Sequence, residues 1–413
     1  MSLHGRLARL TAAPTAREAL LDDLRSRMRR VLERTAVARP PPTVSAEDTE
    51  HRLPFFAEET AAGLLHRRVL RLSAAHRTGR APAYAAKDVD CTLLSLLALD
   101  PTLAKIDFAR ALYLDTETTG LSGGTGTVAF LVGLATFDEH GLFVEQILVR
   151  RLGEEAPMLA HVRERIEAAS ALVTFNGKTF DMPLLRTRFL MSRMPPPSDK
   201  PHLDLLHVAR RLHGRGNRLT MLEEKVLGYL REGDVPSGEV SERYLHFLRT
   251  GQESALLGVV EHNAQDVISM IALVGLYGES LQSSALAPAD LVGVARTLKR
   301  ARALDRAFDA ATLASDRGAG PDALRARAAI ARARGDRDRA LADLEALLAE
   351  VDDPAARLDL AKLYEHHVKD AGTALDLVAA GVAETDGALE KRRARLARKA
   401  ERQKRARLFV PKG

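Results

Sequence analysis

Asp115 and Glu117 stand one residue apart at the end of an apolar run, Ala111–Leu114, in the stretch ALYLDTETTGLSGGTGTVAFLVG. Side chains alternate along a strand with a period of two, so the two carboxylates share one face. Two adjacent acids on a buried strand are unfavourable unless something positive lies between them. Hard oxygen ligands suit magnesium or manganese. A lone D-x-E reads better as a solvated strand end before a turn, and it is the downstream residues that change the balance.

Three further motifs supply acids. Phe175-Asn-Gly-Lys-Thr-Phe180-Asp181 reads as a strand end passing into a helix whose first turn holds an acid. Alone, Asp181 is what the helix dipole favours at that place. His202-Leu-Asp204 follows a proline break, and Asp204 serves as a cap for the next helix at least as readily as it serves a site. In His262-Asn-Ala-Gln-Asp266 the four-residue offset puts His262 and Asp266 on one helix face. Singly each is a common structural device; acids on a strand, a helix start and a helix face, with a histidine beside the last, are a rarer combination.

The elements that must position these residues follow an α/β order. Strands are expected at 111–115, 127–138 and 142–150, then a helix at 155–169, a strand at 171–175 and a helix at 181–193. The Pro195–Pro197 break leads to a short strand at 202–205, and helices follow at 206–213, 219–228 and 253–279. Three antiparallel strands followed by α/β crossovers are the order of a ribonuclease-H-like mixed sheet flanked by helices. Upstream, 1–34 has the spacing of one amphipathic helix and 39–50 that of a proline-rich linker, which makes 1–50 an N-terminal extension. Residues 51–110 form a mixed segment beside the sheet, and 51–285 is taken as one domain. Beyond it, Ala307, Ala340 and Ala374 recur at spacings of 33 and 34, the period of tetratricopeptide helix pairs, so 286–387 reads as an all-α helical-repeat domain. Residues 388–413 make a basic tail, an arginine-rich helix or loose arm.

Composition narrows the partners. One cysteine, Cys91, excludes an internal disulfide and any cysteine-based zinc cluster, which points to a cytoplasmic protein. No signal-type apolar core opens the chain, and no apolar run is long enough to span a bilayer. Tryptophan is absent and aromatics make up 4%, so stacking on bases is not the main binding mode. Residues 111–285 hold 17 Lys/Arg against 22 Asp/Glu, whereas 388–413 hold 11 against 2. An acidic centre that meets a polyanion needs cations, and a basic arm helps to hold that polyanion.

The set LDTETTGLSGGTGTVAFLVG, TFNGKTFDMPLLRTR, HLDLLHVARRL and HNAQDV resembles the YprB-like group within the DEDD superfamily of 3′→5′ exonucleases, ribonuclease-H-like proteins related to the proofreading domain of family-B DNA polymerases. The resemblance covers about residues 51–280. It implies a metal-dependent exonuclease acting on a single-stranded 3′ end, with DNA and RNA both open. Asp115, Glu117, Asp181 and Asp266 would hold two Mg2+ or Mn2+ ions, and His262 would orient or deprotonate the attacking water. His-led members usually put four residues between the histidine and the last aspartate; here there are three, so His262 occupies the slot of the Tyr-led members. Thr116, Asn176 and Lys178 would contact the terminal nucleotide, and Lys178 reads equally as a solvated loop residue. The glycines of Leu121–Thr127 suit close approach of backbone to a nucleotide or a tight hairpin. The rivals are a nucleic-acid or protein-binding scaffold and a ribonuclease-H-type endonuclease; the repeats also offer a surface for a protein partner.

Overall fold

A computed structural model describes residues 52–120, 126–214 and 216–408. The amphipathic stretch 1–34, the linker, most of the glycine loop and the last residues of the basic tail lie outside the described residues. Strands β1 (Phe56–Thr60) and β2 (Gly63–Leu72) form a hairpin, and β3 (Arg77–Thr78) and β4 (Ala81–Pro82) a separate two-stranded ladder. Helix α1 (Cys91–Ala98) leads to β5 (Leu112–Thr118), β6 (Ala129–Asp138) and β7 (Gly141–Leu148), which pair antiparallel in turn. Then come α2 (Ala156–Ala168), β8 (Leu172–Thr174), α3 (Asp181–Met191), β9 (His202–Asp204) and α4 (Leu205–His213). A short α5 (Leu219–Leu222) runs into a π turn at Glu223–Leu227, and α6 (Val240–Thr250) precedes the long α7 (Ser254–Tyr277).

The main sheet has seven strands in the order β1-β2-β7-β6-β5-β8-β9. β8 joins β5 in parallel and β9 joins β8 in parallel, so β5 is the central strand where the antiparallel and parallel halves meet. The mixed sheet flanked by helices is thus as expected, with two additions. Residues 56–72 extend the sheet by β2 and β1, where the sequence offers only an undivided segment. Helix α6 is the other; it packs Tyr244 face to face on Phe130 of β6, with ring centroids 3.9 Å apart.

β5 is buried on both faces, and its alternation decides where its polar residues go. Leu112 and Leu114 join the core formed with Leu159, Val162 and Ile166 of α2 and Leu185 and Phe189 of α3. Tyr113 joins the opposite core, under Val267, Met270 and Ile271 of α7. Each such fully buried aliphatic side chain contributes roughly 1.5–3 kcal/mol. Asp115 and Glu117 therefore share the α7 side, and Thr116 turns toward α3.

Among the described residues beyond 285 the elements are all helical: α8 (Pro288–Arg300), α9 (Leu304–Asp316), α10 (Pro321–Arg334), α11 (Arg337–Glu350), α12 (Pro354–Leu363) with a π turn at Tyr364–Val368, α13 (Ala371–Ala379) and α14 (Asp386–Leu408). Each packs on the next. Ala307, Ala340 and Ala374 fall in α9, α11 and α13, the second helix of successive pairs, and all three are fully buried. The array is not set apart from the sheet. Leu291, Val294 and Leu298 of α8 belong to the same core as Leu205, Val208 and Ala209 of α4. Gly293 makes the crossing tight, since a Cβ there would lie 2.2 Å from the Leu212 carbonyl oxygen. The described part of the basic C-terminal segment lies in the helix α14, docked through Leu396 on Ala371, Ala374 and Val378. Part of its charge faces inward: Arg395 and Lys399 bind the buried Glu365 at 2.8 and 2.7 Å, and Arg392 binds Glu384 at 2.7 Å. Lys391, Arg398, Arg402 and Arg405 are exposed.

Candidate active site

Asp115 and Glu117 lie within β5, Asp115 in mid-strand and Glu117 next to its last residue, rather than at the strand terminus. Across the sheet, Asp115, Gly133 and Gln146 are in register on three adjacent strands. The missing side chain at Gly133 leaves room for Asn263 of α7; a Cβ there would stand 2.4 Å from Asn263 Oδ1. Asn263 fills that gap and bridges its neighbours. Its Nδ2 donates to Asp115 Oδ2 at 2.8 Å, and its Oδ1 accepts from Gln146 Nε2 at 2.9 Å. Gln146 Nε2 also donates to the Val260 carbonyl at 2.7 Å, so this wholly buried amide pair ties α7 to the sheet behind the acids. Sequence reasoning misses both Asn263 and Gln146, although Asn263 sits inside the HNAQD motif.

Asp181 opens α3 and is 4% exposed. Thr116 donates its hydroxyl to Asp181 Oδ1 at 2.5 Å. That hydroxyl, expected at the substrate, is thus spent on a carboxylate and is itself buried. Asp204 caps α4 by accepting from Leu206 N at 3.1 Å, and it also accepts from the backbone N–H groups of Asn176 and Lys178 at 2.8 and 3.1 Å. It therefore clamps the loop that leads to Asp181. Asn176, exposed and in the left-handed region at φ 71, turns that loop, and its Oδ1 accepts from Thr179 Oγ1 at 2.8 Å. Lys178 is partly exposed, with its ammonium 3.8 Å from Asp100.

On α7, His262 Nε2 lies 3.9 Å from Glu117 Oε1 and 3.6 Å from Asp266 Oδ2. One donor atom from each of these three residues falls within 4.8 Å of the other two, an arrangement able to hold a metal ion. His262 Nδ1 is 2.6 Å from Asp234 Oδ1. Arg231, 7% exposed, donates to Asp266 Oδ1 and grips the buried Glu223 with two bonds of 2.6 Å. Glu223 sits on the π turn and Arg231 and Asp234 in the loop after it. No period or motif marks these three in the sequence, and only the fold brings them to the site.

The electrostatics follow from acids crowded in a place poor in water. Asp115 is pushed well above the usual carboxylate range by burial, then by Asp266, Glu117 and Asp181, against a downward pull from Asn263. Glu117 is raised to about 8, by burial first and by Asp266 next. Asp181 is raised to about 6, chiefly by burial, with Thr116 opposing. Burial would lower the His262 pKa, but Asp266, Glu117 and the bond to Asp234 outweigh it and the net shift is upward. Carboxylates that repel one another in this way fit divalent cations, whose charge removes the conflict. The oxygen-rich donor set suits Mg2+ or Mn2+.

Comparison with known proteins places this site in a family context. Residues 112–277 match the family model RNase_H_2, described as RNase_H superfamily. The protein described as "Uncharacterized protein YprB" of Bacillus subtilis (strain 168) is 36% identical over 181 residues, which cover 43% of this chain and 44% of that protein. The chain thus matches under half the length of this curated relative. A family B DNA polymerase of the hyperthermophilic archaeon Pyrobaculum calidifontis aligns with a TM-score of 0.33 and 11% identity, covering 45% of this chain and 28% of that one. Among the described residues no helix is long and apolar enough to cross a membrane. Residues 112–277, with β5 at their start and α7 at their end, are thus the part of the chain that is similar to the RNase H superfamily.

Proposed function

We propose that this protein is a metal-dependent 3′→5′ exonuclease that hydrolyses phosphodiester bonds at a single-stranded end. The observation that carries the reading is the convergence of Asp115 and Glu117 from β5, Asp181 from α3, and His262 and Asp266 from α7, within an RNase H superfamily domain. Asp115, Glu117 and Asp266 would hold one divalent cation, and Asp181 with Asp115 a second. When bound, such ions lower the pKa of an attacking water and neutralise charge on the leaving oxygen.

The chain's own groups do the positioning. Asn263 fixes the rotation of Asp115 from α7, and Thr116 fixes that of Asp181 from within β5. Arg231 takes one oxygen of Asp266 and leaves Oδ2 toward Glu117 and His262. The exposed loop at Asn176 and Lys178, clamped by Asp204, is the surface we assign to the terminal nucleotide. We assign 51–285 to the nuclease unit and 286–387 to tetratricopeptide-like repeats that offer a protein-binding surface. The basic segment 388–413 is taken to help hold the nucleic acid, and the protein to act in the cytoplasm.

The test is to incubate the protein with end-labelled single-stranded DNA and RNA in Mg2+, Mn2+ or chelator. A ladder shrinking from the 3′ end that vanishes in chelator and in Asp115→Asn supports the reading. Internal cuts would make it an endonuclease. Tight binding without hydrolysis in either metal would make it a scaffold.

A further inference from the structure

We infer that His262 is a nitrogen ligand of the cation shared with Glu117 and Asp266, and that Asp234 is the positioning residue that sets its tautomer. The inference rests on the proposal that this site takes divalent cations, and it gives the histidine a different task from activating water.

The geometry of Asp234 decides the proton. A carboxylate can only accept, so an Nδ1···Oδ1 separation of 2.6 Å puts the hydrogen of the neutral ring on Nδ1. Arg231 Nη1 also approaches Nδ1, at 3.2 Å, but a guanidinium cannot accept, and its stronger partners are Glu223 and Asp266. Nε2 is left with a bare lone pair. It faces Asp266 Oδ2 at 3.6 Å and Glu117 Oε1 at 3.9 Å, both beyond hydrogen-bond length. The side chain is 8% exposed, so this lone pair is aimed into the acidic cleft and away from bulk water. Ligands about 2.1 Å from a common ion stand roughly 3.0 to 3.5 Å apart, so the 3.6 and 3.9 Å separations from Nε2 need to close by only a few tenths of an ångström. A histidine that donates its other nitrogen to a carboxylate while ligating through the free one is a recurring arrangement at protein metal sites.

Arg231 supports the same assignment. By holding Asp266 Oδ1 it turns Oδ2, the oxygen nearest Nε2, toward the cation position. Its positive charge also weakens the purely ionic pull on a hard cation. An imidazole then adds affinity selectively for ions that accept nitrogen, so Mn2+ and Co2+ gain more than Mg2+.

The experiment uses the full chain with Mn2+ as the probe. Pulsed electron paramagnetic resonance of the bound Mn2+ is expected to show nitrogen coupling in the wild type and none in His262→Gln. Calorimetry is expected to show Mn2+ affinity about 10- to 100-fold weaker in Asp234→Asn and in His262→Gln, with Mg2+ affinity changed several-fold less. Bound Mn2+ without nitrogen coupling in the wild type overturns the assignment and needs no variant, so misfolding cannot obscure it. Equal losses for Mg2+ and Mn2+ would overturn the selectivity argument. Failure of the wild type to bind Mn2+ at all would overturn the proposed function as well.

Discussion

Replacing Glu117 by Gln should stabilise the metal-free protein near neutral pH while removing a proposed cation ligand. The Glu117 side chain is 12% exposed, and its pKa rises from 4.5 to about 8, through burial first and Asp266 next. Its nearest basic atom, His262 Nε2, is 3.9 Å away, so the amide gives up no hydrogen bond there. A carboxyl whose pKa is raised by folding keeps a proton that the unfolded chain releases. Its favourable contribution is complete below the unfolded value of 4.5 and is lost as pH climbs through about 8. At about pH 7 that loss corresponds to somewhat over two pK units, or about 3 kcal/mol at 1.36 kcal/mol per unit. Glu117 titrates together with neighbouring carboxylates, so the share Gln recovers is on the order of 1–3 kcal/mol. Urea unfolding in chelator, followed by circular dichroism from about pH 4.5 to 8, should show no gap at the acid end and a growing gap toward the basic end. Saturating Mn2+ should reverse the order, because the wild type gains by mass action and the variant gains less. A variant less stable than wild type in chelator at neutral pH, or a gap that ignores pH, would refute the reasoning.

Other perturbations test the supports of the site. Gly133→Ala puts a methyl carbon 2.4 Å from Asn263 Oδ1, which should cost about 1–3 kcal/mol by denaturant unfolding and lower turnover as Asp115 loses its anchor. Unchanged turnover would show that Asn263 does not orient Asp115. Asp204→Asn keeps one acceptor oxygen for three backbone N–H groups, so it should lose about 1–2 kcal/mol with Mn2+ affinity retained. A collapse of metal affinity would instead make Asp204 a site acid. Replacing Arg398 and Arg402 by Gln should flatten the salt dependence of nucleic-acid binding by roughly 0.7–0.9 for each phosphate that is no longer neutralised. An unchanged slope would reduce that face of α14 to a solvated surface.

The central motif was legible because local rules govern it. D-x-E on a strand and H-x-x-x-D on a helix each place two groups on one face whatever the tertiary fold, and the structure keeps both pairs together. What could not be read are the partners brought in by tertiary packing. Arg231 reaches Asp266 from a loop after a π turn, and Gln146 reaches Asn263 from two strands away. Strand β2 was hidden for a different reason. Its sequence, GLLHRRVLRL, carries the charges of a strand near the sheet edge, and Arg67 and Arg68 answer Glu145 and Gln146 across the ladder. Thr116 shows the limit of alternation: it fixed the face of the hydroxyl but could not say that Asp181 waits there.

The shared core between α4 and α8 fixes more than stability. Because Leu291, Val294 and Leu298 are packed into the domain that carries the sheet and each later helix leans on the one before, α14 is the far end of a stack whose near end is welded in place. The interval between the acidic cleft and the outward arginines is then a set length, as on a ruler. Under the proposed function, nucleic-acid strands too short to span it would feel the cleft alone, and strands long enough would engage both ends together. Plotted against substrate length, affinity should therefore rise in a step, and its position would measure the stack.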